Sequence, residues 1–79
     1  MAPLVFDTIV GAMRAGRTPR GLVMGSVQLL ELRRDAERLP AMARYFKYAG
    51  EHHSSFAGCR IRIEGTLDGW RLECDQPEA

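Results

Sequence analysis

The sequence predicts a two-layer α+β domain of order α-β-α-β-β, with a three-stranded mixed sheet and two helices packed on one face. Three observations carry that expectation. Near the N-terminus apolar residues recur at helical spacing. Near the C-terminus they alternate with charged residues, as in a half-buried strand. Between two such alternating runs lies Asp68-Gly69, a strong hairpin signal. The 79 residues suffice for one domain with a modest core. No repeat, linker or low-complexity tract divides them, so residues 1–79 are expected to fold as one unit. A domain of this size buries a limited share of its surface, and a partner or self-association could supply further stability.

The first helix is expected over Leu4–Ala15, where Phe6, Ile9, Val10 and Met13 fall at i, i+3, i+4 and i+7. Pro3 and Asp7 suit a helix start, and Gly16 suits a stop. Arg17–Arg20 contains Pro19 and reads as a loop. Gly21–Leu32 reads as a strand in which Val23, Val27 and Leu29 alternate with other residues. Leu30 and Leu32 break that phase, which a bulge or a strand end near Leu29–Leu30 would explain. Asp35–Gly50 reads as a second helix, with Asp35 as N-cap and Leu39, Met42, Ala43, Phe46 and Ala49 in one stripe. Pro40 fits only a first turn, so a start nearer Leu39 is the alternative. Glu51–Ser55 reads as a loop.

The C-terminal segment is the most regular. Cys59, Ile61, Ile63 and Leu67 share one face, and Arg60, Arg62 and Glu64 share the other. A turn at Asp68-Gly69 pairs Leu67 with Trp70, Gly65 with Leu72 and Ile63 with Cys74, which places apolar side chains or glycine together throughout. In that register Cys59 and Cys74 are four residues apart along the sheet, about 13 Å, too far for a disulfide.

Composition narrows the function classes. Hydrophobic residues at 46% and charged residues at 27% argue for a folded chain. A net charge of +1 marks neither a nucleic-acid binder nor a binder of acidic partners. Two cysteines are too few for a disulfide scaffold, and no leader-like or membrane-spanning run is present, so a cytoplasmic protein is the default expectation. His52-His53 lacks the further donors a metal set needs and reads as a solvated loop. Cys59 reads as core, with Cys74 nearer the frayed end. The arginines at 14, 17 and 20 and at 33, 34 and 38 could meet phosphate. Acidic residues interrupt the second group and neither is interleaved with aromatics, so a solvated surface is the better reading. Tyr45, Tyr48 and Trp70 are the large amphipathic side chains suited to an interface or a core margin. No acid, base and nucleophile converge in the pattern, so no catalytic residue is assigned.

With the elements in order, the chain resembles the HypA family of accessory proteins that insert nickel into hydrogenase and urease. Met1-Ala2-Pro3-Leu4 stands where that family has Met-His-Glu-Leu, and Leu29-Leu30-Glu31-Leu32 resembles its Ile-Gly-Glu-Leu strand end. Glu37, Leu39 and Phe46 match its second helix, and Gly58–Glu64 looks like its Gly-Ala-x-Leu-x-Ile-Glu strand. The family's nickel histidine corresponds to Ala2, followed by Pro3, neither of which is a metal ligand. Of its zinc loop only Cys74 remains, with Pro77 at the next cysteine position, and structural zinc needs four ligands.

The resemblance implies a metal-free relative with no cofactor. It would bind a hydrogenase-type enzyme or a maturation protein as an adaptor or small subunit rather than act as an enzyme. The expected contact surfaces are the sheet edge, the first helix with Arg14 and Arg17, and the side chains of Tyr45, Tyr48 and Trp70. A homo-oligomer is a further expectation, because a sheet edge invites pairing. A nucleic-acid module using the Arg-rich segments is the alternative, and an enzyme the third choice.

Overall fold

The computed structural model describes residues 1–50 and 52–75. The α+β class holds, but the described residues form five strands and three helices rather than three strands and two helices. The order is α1 (Ala2–Arg14), β1 (Thr18–Met24), α2 (Ser26–Arg38), α3 (Pro40–Ala43), β2 (Phe46–Lys47), β3 (Ser55–Phe56), β4 (Cys59–Ile63) and β5 (Trp70–Asp75). The sheet runs β2-β3-β4-β1-β5.

The expected C-terminal hairpin does not form, because β1 lies between its two arms. β1 pairs parallel with β4 and antiparallel with β5. Leu22 sits between Ile61 and Leu72, and Met24 between Ile63 and Trp70. The alternation in β4 and β5 is legible in the sequence; the partner is not, since a third alternating strand satisfies the same pattern. The residues between Ile63 and Trp70 cross the end of β1 and are tied there by Glu64 N–H to the Met24 carbonyl (3.0 Å) and Gly25 N–H to the Gly69 carbonyl (3.2 Å). Gly69 has φ 123°, but Asp68 lacks the positive φ that both central residues of a type I′ turn require. The tight hairpin is instead Ala57-Gly58, with both residues at positive φ (51° and 81°), joining Phe56 to its partner Cys59.

Residues 21–32 do not form the single strand expected of them. They divide at Gly25, which serves as N-cap of α2 in extended conformation. Leu29, Leu32 and Ala36 are the buried stripe of α2, at i, i+3 and i+7, and this is why Leu30 and Leu32 break the strand phase. The expected loop at Arg17–Arg20 is correspondingly the start of β1, with a register shift between Pro19 and Gly21. The expected helix over Asp35–Gly50 fails at Pro40. A proline disfavours helical backbone in the preceding residue, and Leu39 is extended at φ −114°, ψ 99°. α2 therefore ends at Arg38, and Pro40 opens the single turn of α3.

Ala2, Val5 and Ile9 of α1, Leu29 and Leu32 of α2, and Leu22, Met24, Phe56, Cys59 and Ile61 of the sheet form one buried cluster. Val23 points away from it yet is also fully buried. It lies between Arg62 and Arg71, whose ion pairs to Glu73 and Glu64 (each 3.4 Å) cross over β1. Such exposed pairs contribute little energy individually; here their stems also shield a valine. Cys59 and Cys74 flank β1 two strand spacings apart, about 10 Å, and both are free thiols. The 13 Å separation expected from the hairpin is thus replaced by a shorter one that still exceeds disulfide reach. Burial, and secondarily Cys74, pushes the Cys59 thiol up.

Asp35 caps a helix, but not the one expected. From the third turn of α2 its carboxylate accepts from the Met1 amine (2.5 Å) and the Ala2 N–H (3.0 Å), at the N-terminus of α1. The bond to the amine, then that to Ala2, holds its carboxyl below the usual range against the opposing effect of burial. A depressed folded pKa means that the contribution is complete above the unfolded value, about 3.9, and lost as pH falls through the folded one. Asp35→Asn is expected to flatten that acid-side slope of stability and to cost about 1 kcal/mol at neutral pH, measured by urea denaturation across pH. Gly25 gives a second check. A Cβ there would press into the Leu67 carbonyl and the Gln28 side chain, whereas one at Gly11 meets open space. Gly25→Ala should destabilise by about 1–3 kcal/mol, and Gly11→Ala should be neutral or stabilise by up to about 1 kcal/mol.

Candidate interaction surface

The five residues expected to bind a partner occupy separate places. Tyr45 is half-buried against Phe6, with ring centroids 4.8 Å apart, and its ring serves the core margin. Arg14 and Arg17 are exposed where α1 turns toward β1. Trp70 opens β5, half-buried beside Met24. Tyr48 alone combines exposure, at 45%, with fixed packing.

Tyr48 follows the edge strand β2. Its ring stacks on Phe46 (6.4 Å, 20°), and the Arg33 guanidinium sits over it at 4.1 Å from the centroid. Such cation–π contacts fix both partners without removing either from solvent. Glu37, one helical turn further along α2, forms an ion pair with Arg33 at 3.5 Å. Arg33, Ala36, Glu37, Ala43, Phe46 and Tyr48 line a shallow cleft between α2 and the edge of the sheet. Two exposed apolar residues continue it. Val27 (61% exposed) and Leu30 (58%) lie at i and i+3 on α2, and Leu30 is in turn three residues from Arg33. Reading residues 21–32 as a strand hides Arg33, Leu30 and Val27 as a group. A helix start after Gly25 spaces them one turn apart along α2, with Val27 and Leu30 turned away from Leu29, Leu32 and Ala36 and Arg33 at the margin of that buried stripe.

The face of the sheet opposite the helices carries Arg60, Arg62, Arg71 and Glu73 around Gly21 and Val23. Arg62 and Arg71 are paired with Glu73 and Glu64, and nearby Arg20 with Asp75 at 2.9 Å, so this surface is close to charge-balanced. That balance disfavours phosphate recognition, which requires uncompensated positive charge.

No protein-family model matches the chain, and neither a curated protein nor a solved structure shows significant similarity to it. The HypA-like pattern therefore rests on the residues themselves, and the fold divides them. Gly58–Glu64 contains β4 as that pattern expects, and Met1–Leu4 opens a helix. Leu29–Leu32, matched to a strand end, lies in α2, and Phe46, matched to a helix, lies in β2.

Nickel does not fit the N-terminus. Ala2 supplies a fully buried methyl, and the Met1 amine, a possible donor, is engaged by Asp35. Zinc does not fit either: Cys74 has no other thiol adjoining it, and Pro77 is outside the described residues. His52 and His53 are exposed turn residues, and no group of three or more potential ligands forms among the described residues. No helix there is long and apolar enough to cross a membrane. Nickel titration followed by calorimetry should accordingly give no sub-micromolar site, and such a site through native residues would contradict this donor arrangement.

Proposed function

We propose that the chain is a protein-binding module whose contact surface runs along the outer side of α2 onto Tyr48. One observation carries this reading: Tyr48 is nearly half exposed yet held between Phe46 and Arg33, in line with exposed Leu30 and Val27. Tyrosine and arginine dominate binding energy at interfaces when their rotamers are fixed beforehand, because little entropy remains to be lost. Glu37 and Arg34 supply a polar rim around this apolar line.

The partner class comes from the resemblance to nickel-insertion proteins: a hydrogenase-type enzyme or a component of its maturation machinery, bound by a metal-free adaptor or small subunit. Support for that class lies in the β4 motif and the helix opening at Met1–Leu4.

Binding of the purified chain to such a partner, followed by calorimetry, tests both levels. Tyr48→Ala should weaken binding by about 2 kcal/mol, and Leu30→Glu should weaken it similarly, with unchanged circular dichroism. Binding that survives both substitutions contradicts the surface. A partner outside hydrogenase maturation, still sensitive to both, contradicts only the partner class.

A further inference from the structure

Among the described residues β5 closes the sheet at the edge opposite β2 and pairs with β1 alone. It is six residues long, whereas β2 has two. A long free edge is a pairing template unless charge or proline blocks it, and Trp70–Asp75 contains no proline. Its helix-side residues Trp70, Leu72 and Cys74 are only half-buried, in contrast to the fully buried Leu22 and Met24 of β1. Its other face carries Arg71, Glu73 and Asp75.

That charge order selects a partner. Two copies of β5 related by a two-fold axis pair antiparallel, and each register is defined by the residue on the axis. With Arg71 on the axis, arginine meets arginine. With Glu73 there, Arg71 meets Asp75 but glutamate meets glutamate on the axis; with Cys74 there, Glu73 meets Asp75. With Trp70 there, the strands hardly overlap. Only Leu72 on the axis opposes charges correctly. Arg71 then faces Glu73 of the second copy twice over, Leu72 faces Leu72, and Trp70 faces Cys74. Opposite-charge and apolar cross-strand pairs of this kind stabilise a ladder.

We propose that β5 pairs with β5 of a second copy of this chain, antiparallel and centred on Leu72, giving one continuous sheet with five strands from each copy. The contact uses the edge remote from β2 and Tyr48, so it stands independently of the binding surface proposed above. It leaves the two Tyr48 surfaces at opposite ends of the joined sheet.

Sedimentation of the full chain and its charge variants tests the register. The wild type should be dimeric. Arg71→Glu and Glu73→Arg should each weaken dimerisation by at least about tenfold, with folding verified by circular dichroism. The double variant R71E/E73R should restore the dimer, although it places like charges beside Glu64 and Arg62 within each copy. Leu72→Cys should form an interchain disulfide on mild oxidation, while the wild type, with its two Cys74 thiols about 13 Å apart in this register, should not. A monomeric wild type, a double variant no better than the single ones, or a Cys74–Cys74 crosslink overturns the proposal.

Discussion

The fold depends on a single strand bonded on both sides. β1 is parallel to β4 and antiparallel to β5, so over residues 21–24 its backbone is paired on both sides. Leu22, Val23 and Met24 are consequently buried on both faces, although the strand is flanked by charged residues. Two of them enter the core beneath the helices. The third is covered by arginine stems held in crossed ion pairs. Removing β1 from that position would leave β4 and β5 without a shared partner and the helices without a floor.

The end of β1 also sets the placement of α2. Gly25 closes the strand against the carbonyl of Leu67, a position too close for any side chain, and α2 begins at once. Asp35, in the third turn of that helix, reaches the start of α1 and ties the two helices together. α2 is thereby held with Leu29, Leu32 and Ala36 inward and Val27 and Leu30 outward. The proposed contact surface is thus the outer side of a helix whose inner side is fully committed to the core, and Arg33 links that helix to Tyr48.

Local patterns in the sequence reveal much of this, and pairings little of it. The existence of the first helix and the alternation of β4 and β5 follow from spacing, but the stripe of Phe6, Ile9, Val10 and Met13 does not hold: Val5, Ile9 and Ala12 face the core and Met13 is exposed. The β1–α2 boundary is hidden because Gly25 is a weak stop signal in a strand and because Val23, Val27 and Leu29 imitate alternation across it. The break at Pro40 is legible as a problem, and its resolution by the extended Leu39 is not. Asp68-Gly69 carries the stronger turn chemistry, yet Ala57-Gly58 makes the tight hairpin, with Ala57 in the left-handed region where alanine is rarely found. There the Ala57 N–H donates to the Tyr45 carbonyl, a tertiary contact no local propensity reports. Tyr48 is legible as an interface residue by type; its neighbour Arg33 becomes visible only once α2 is placed.

Insertion of β1 between β4 and β5 is therefore the feature to test, and nuclear Overhauser contacts between backbone protons report on it without intermediate inference. Cross-strand contacts should run from Leu22 to both Ile61 and Leu72, and from Met24 to both Ile63 and Trp70. Direct contacts of Ile63 with Cys74 and of Gly65 with Leu72, with none from β1 to β5, would mean that the two C-terminal strands form a simple hairpin and would contradict the inserted strand.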